Sequence, residues 1–117
     1  MAKDLLNILK CLCDENRLRM LCLLRKKPLF VCEIESILKM NQSNVSKHLA
    51  KLKDNEIINS EKESQFVKYI INEEIIKKYP FINDIIEEAL KFEKCKKDME
   101  ILNSIKSSGI FICKTKK

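Results

Sequence analysis

Gln42-Ser43-Asn44-Val45-Ser46-Lys47-His48-Leu49-Ala50-Lys51-Leu52 is the stretch whose reading decides the fold of this 117-residue chain. Its apolar residues, Val45, Leu49 and Leu52, are spaced by four and three, which makes one helical stripe. Asn41 just before it is a good N-cap, so the spacing predicts a helix from about 42 to 54. The other faces hold Ser43, Asn44, Ser46, Lys47, His48, Lys51 and Lys53. From Lys39 to Lys53 there are four lysines, one histidine and no acid, although the whole chain has 17 acids. Lysine neutralises phosphate, while Gln, Asn and Ser reach base edges. One buried stripe beneath such an outer face suits docking in the DNA major groove. A solvated surface helix is the plain alternative, and it leaves the missing acids unexplained.

The flanking sequence supplies the rest of a domain. Leu5, Ile8, Leu9 and Leu12 recur at helical spacing and predict a first helix over about 3–13. Asp14 caps a second helix that carries Leu18, Leu21, Cys22 and Leu24 and ends by Pro28. A third helix, roughly Phe30 to Met40, buries Val31, Ile34, Ile37 and Leu38. Beyond the reading helix the period changes to two. Ile57 and Ile58 open a strand, Glu61 to Ser64 make a polar turn, and Phe66 to Ile71 form a second strand with Val67, Tyr69 and Ile71 on one face. Glu73 to Lys78 is a short helix, and Pro80 fits the first turn of the next. From Phe81 to Ser107 a stripe of Ile82, Ile85, Ala89, Phe92, Cys95, Met99 and Leu102 alternates threes and fours. A break near Lys97 would make Asp98 a cap. Ser108-Gly109 ends the helix.

The expected fold is therefore mainly α with a small β-hairpin, a winged helix-turn-helix. Residues 1–107 form one domain, with the reading helix at about 42–54 and the wing at about 57–72. Residues 108–117 form a basic tail. Lys62 on the wing joins Gln42, Ser43, Asn44, Ser46, Lys47, His48 and Lys51 as candidate DNA contacts.

Composition excludes several other classes. One glycine and two prolines are too few for a β-sandwich or barrel, and Gly109 alone cannot build a phosphate-cradling loop. The net charge of +6 points to an anionic partner. Asp4, Asn7 and Lys10 interrupt any signal-peptide core, and no apolar run approaches a membrane span, so the expected location is cytoplasmic, where thiols stay reduced. A cysteine–histidine catalytic dyad would have to use His48, and no oxyanion-hole glycines are present, so no enzyme is expected.

Five segments resemble ArsR-type repressors. Leu9 to Leu21 is similar to their "LxALxDxxRLRIL" opening, and Val31-Cys32-Glu33-Ile34 to the second half of their "ELCVCDL" metal box. Gln42 to Leu52 is very close to "QSxxSxHLxxL", and Gln65-Phe66-Val67-Lys68-Tyr69 resembles the wing strand "QxVYY". Ser107 to Cys113 resembles the "KxSGLTC" tail of some arsenic-responsive members. The resemblance covers about residues 5–72. It implies a homodimer on a palindromic operator, with the first helix (3–13) and the C-terminal helices (80–107) at the interface. An inducer would release the DNA.

Six cysteines remain to be assigned. Soft thiolates select soft ions such as trivalent arsenic or antimony, which take three sulfurs. The resemblance puts Cys32 in the metal box, where Phe30 replaces the box's first cysteine, and Cys113 in the tail. Cys95 on the C-terminal stripe is the third candidate inducer ligand. Cys11, Cys13 and Cys22 are alternative thiols. Cys11, Cys13 and Cys32 suggest a cadmium or lead site. Met20-Leu21-Cys22-Leu23-Leu24 resembles relatives that sense persulfide or oxidants through this helix and a second cysteine, here Cys95. Zinc is disfavoured because the only histidine is His48. A winged helix that binds protein instead of DNA is the alternative from another class.

Overall fold

The computed structural model describes residues 2–108; Gly109 to Lys117, including Cys113, lie outside the described residues. The order is α1 (Ala2–Leu12), α2 (Glu15–Lys26), β1 (Leu29–Phe30), α3 (Val31–Leu38), α4 (Gln42–Asp54), β2 (Ile58–Glu63), β3 (Phe66–Ile71), α5 (Glu73–Lys78), α6 (Phe81–Ala89) and α7 (Glu93–Ser108). Five consecutive residues of α2, Met20 to Leu24, are buried. A helix is apolar all round only when other elements surround it. Here α1, α4, α6, α7 and β3 do so.

Local chemistry fixes the reading helix. The Asn41 side chain accepts from the Asn44 N–H at 2.9 Å, which satisfies one of the free donors at the start of α4. Val45, Leu49 and Leu52 are each fully buried. Lys39 ends α3 in the left-handed region, with φ 57° and ψ 47°, and so turns the chain into α4.

Two elements differ from the sequence reading. The third helix was expected from Phe30, but Leu29 and Phe30 form a short strand instead, opposite Tyr69 and Lys68 of β3. Pro28 drives Lys27 into the extended region, φ −167° and ψ 158°, and the chain stays extended until Glu33 Oε1 accepts from the Phe30 N–H at 2.9 Å. The hairpin thus becomes a three-stranded antiparallel sheet, ordered β1-β3-β2. Its strand β2 runs on through Glu61 and Glu63, and Glu63 faces Phe66 across a tight turn. Ser64 at that turn has the positive φ, 59°, that such turns need.

The long C-terminal helix is also divided, at Leu90–Phe92 and not near Lys97. There the bonds shorten to three-residue steps, Lys91 N–H to Glu88 and Phe92 N–H to Ala89. Phe92 leaves the stripe and is 40% exposed, while Cys95 falls in the first part of α7 and is fully buried. Asp98 is no cap: it lies inside α7, paired with Arg19. Among the described residues, no helix is long and apolar enough to cross a membrane.

Replacing Asn41 by alanine should remove about 1 kcal/mol and lower the melting temperature by about 4 °C. Thermal unfolding followed by circular dichroism measures it; an unchanged transition would contradict the cap's role.

Candidate nucleic-acid interface and buried thiol pair

Helix α4 presents Gln42, Ser43, Asn44, Ser46, Lys47 and Lys51 to solvent, all exposed, while its apolar stripe is sealed against the core. His48 is half-buried at the edge of that face. Its Nδ1 lies 3.2 Å from Nη1 of Arg17, a residue that sequence spacing did not single out. Arg17 Nε also donates to the Cys11 carbonyl at 2.6 Å, and the Asp14 carboxylate is 3.8 Å from its Nη1.

The wing is electrically different. Lys62 is exposed but stands between Glu61 and Glu63 on the same strand. Lys68 is held by Glu63 at 2.8 Å and lies 6.0 Å from the centre of the Phe30 ring. Acids and lysines therefore cancel on the wing, whereas α4 carries Lys47, Lys51 and Lys53 against the single acid Asp54. A cleft of about 420 Å³ beside α4 is lined by Lys10, Arg17 and Lys51, with one acid, Asp54, and by Asn7, Cys11 and Asn55.

The thiols separate. Cys22 and Cys95 are both buried, and Cys22 Sγ points to Cys95 Sγ and to the Ile86 carbonyl, each at 3.8 Å. Burial pushes the Cys22 thiol far above its ordinary value, and the neighbouring Cys95 sulfur adds to this. Burial raises Cys95 as well; Cys22 and Arg19 oppose that rise while Asp98 assists it. One turn away on each helix, Arg19 and Asp98 form a two-pronged ion pair at 2.8 and 2.9 Å. Their separation of 79 residues left no local signal for it.

Cys11 is buried at the end of α1, whereas Cys13 is exposed beyond it. Cys32 is half-buried in the first turn of α3 and is disulfide-bonded. The structure thus places Cys95 against Cys22, and Cys113 lies outside the described residues. Among the described residues, no group of three or more His, Cys, Asp or Glu side chains is arranged to hold a metal ion.

Comparison with known proteins agrees with this geometry. Residues 14–60 match the family model described as bacterial regulatory protein, arsR family. The arsenical resistance operon repressor of Staphylococcus xylosus is 33% identical over 97 residues, covering 80% of this chain and 90% of that protein. The transcriptional activator HlyU of Vibrio cholerae is 39% identical over 70 residues, 60% of this chain; the chain spans just under two thirds, 65%, of that relative. A solved structure of HlyU superposes with a TM-score of 0.58 at 32% identity, over 68% of this chain and 95% of that one. A further HlyU structure is described as reduced. A homodimeric winged helix-turn-helix domain from Mycobacterium bovis gives a TM-score of 0.65 over 77% of this chain and 84% of that one; at 23% identity it speaks for the fold alone.

The raised thiols set a pH dependence. An unfolded thiol ionises near 9.0, while the folded ones hold their protons to higher pH. Below pH 9 both states are neutral at these groups, and stability is unaffected. Above it the unfolded chain ionises first, so stability should fall as pH rises, by at most about 1.4 kcal/mol per thiol for each pH unit. Urea unfolding between pH 7 and 10.5 checks this. The Cys22→Ala variant should lose stability less steeply than the parent; an equal slope would contradict the assignment.

Proposed function

The chain belongs to the arsR family of bacterial regulatory proteins, and from that premise we propose that it is a homodimeric, DNA-binding transcriptional repressor which docks α4 in the major groove. The observation that carries this reading is the exposed face of α4, which carries no acid before Asp54 in its last turn, over a fully buried stripe. Leu6 (56% exposed), Leu9 (41%) and Phe92 (40%) support dimerisation through α1 and the C-terminal helices. A two-fold dimer then meets a palindromic operator with half-sites about 34 Å apart.

For the signal, the 3.8 Å approach of the Cys22 and Cys95 sulfurs supports a thiol switch best. With a hydroperoxide as oxidant, the two thiols lose two hydrogens, one S–S bond forms, and the peroxide becomes an alcohol and water. With an organic persulfide, the products are the disulfide, a thiol and hydrogen sulfide. Because burial holds both thiols protonated, the reaction waits on ionisation and quickens as pH rises. Closing the gap to the bonded length of about 2.05 Å draws α7 against α2. That shifts one candidate dimer helix relative to the rest and alters the half-site spacing.

A second reading takes trivalent arsenic or antimony as the inducer, bound by reduced Cys32, Cys95 and Cys113. It is supported by the Staphylococcus xylosus relative, an arsenical resistance operon repressor. Both readings use Cys95, and they part at Cys22 and Cys32.

Mobility-shift titration of the reduced protein against its own promoter is the test. Affinity should fall steeply with salt, with a slope of about −0.9 per phosphate neutralised. Hydroperoxide or persulfide should release the parent but neither Cys22→Ser nor Cys95→Ser. Release by arsenite alone, abolished in Cys32→Ser, would replace the first signal reading with the second. No binding by reduced protein would overturn the regulator itself.

A further inference from the structure

We infer that Arg17 is a positioning residue for DNA recognition: it locks His48 as the neutral Nε2–H tautomer, so that the ring offers one donor, and no acceptor, to the DNA. The proposal rests on the DNA-binding reading of α4.

The tautomer follows from the chemistry of the pair. A guanidinium carries five N–H groups and no lone pair. Arg17 Nη1 lies 3.2 Å from His48 Nδ1, so Nδ1 accepts and the ring proton sits on Nε2. Arg17 does not follow the ring, because it is tied down on its other side. Its Nε donates to the Cys11 carbonyl at 2.6 Å, and Asp14, which caps α2 through the Arg17 N–H at 3.1 Å, also faces the guanidinium. The Arg17 side chain is only 14% exposed. The clamp is therefore built into the α1–α2 corner and reaches α4 from outside it.

The consequence is a specificity rule. His48 sits at the border of the buried stripe, with Asn44 and Lys51 one turn away on the exposed face. With Nδ1 occupied, only Nε2–H is left for DNA. It suits a phosphate oxygen, guanine O6 or N7, adenine N7 or thymine O4, and it rejects the amino groups of adenine and cytosine. A neutral donor also displaces no counterion, so its contact adds affinity without adding salt dependence.

His48 is the chain's only histidine, which makes the test direct. Long-range ¹H–¹⁵N spectra of the free parent protein should show a single Nε2–H tautomer, and Arg17→Met should give a mixture. An Nδ1–H ring or a mixture in the parent overturns the lock, whatever the DNA result. On DNA, His48→Gln places an amide nitrogen near the Nε2 position and should bind within about twofold of the parent, whereas His48→Asn falls short and should lose about tenfold. Neither should change the salt slope, while Lys47→Gln should reduce it by about one. Parent-like binding by His48→Asn, or a lower slope, overturns the DNA half of the proposal even if Arg17→Met does not fold. A locked tautomer in a parent that binds no DNA leaves the Arg17–His48 geometry standing and removes the DNA-binding reading.

Discussion

The enclosure of α2 is the constraint on which the other features depend. Met20 to Leu24 are buried on every side, so α2 cannot shift without moving the elements around it. The same helix places Arg17 against the reading helix, and Arg19 and Cys22 against α7. The Arg19–Asp98 pair fixes that second contact. Asp98 retains 4% of its side-chain exposure and Arg19 13%. Losing one partner of such a buried pair leaves an uncompensated charge, at a cost of about 3–5 kcal/mol. The register of α2 on α7 is held by charge as well as by shape.

This arrangement gives a physical route between the thiols and α4. Cys22 lies between the ion pair and the contact of α2 with α6. A change in the Cys22–Cys95 distance acts on the α2–α7 packing, and α2 also packs on α4. Packed interiors transmit such shifts as whole-element movements, because side chains have few alternative arrangements. The charge distribution is consistent with α4 as the receiving element. Its lysines are exposed, whereas Lys68 of the wing is engaged by Glu63.

What the sequence disclosed, and what it did not, follows the range of the interactions. Asn41, Val45, Leu49 and Leu52 specify α4 within four turns of one another, and its bounds were readable to the residue. The strand at Leu29–Phe30 was not, because its two residues acquire meaning only opposite Tyr69 and Lys68. The turn at Leu90–Phe92 contains neither glycine nor proline, and the apolar stripe passes through it unbroken. At the sites, the exposed face of α4 was legible as composition. The Arg17–His48 and Cys22–Cys95 contacts span 31 and 73 residues. The first had no signature in the chain, and the second was suggested only by the resemblance of the Cys22 segment to thiol-sensing relatives. Cys95 is a candidate for a metal set and for a thiol pair by sequence alone, and its 3.8 Å approach to Cys22 exists only in the fold.

Methylation interference on the chain's own promoter tests the central claim, docking of α4 in the major groove, most directly. The expected result is loss of binding when guanine N7, a major-groove atom, is methylated within two half-sites about one helical turn apart. Binding that tolerates N7 methylation everywhere and is blocked only by methylation of adenine N3, in the minor groove, would contradict it.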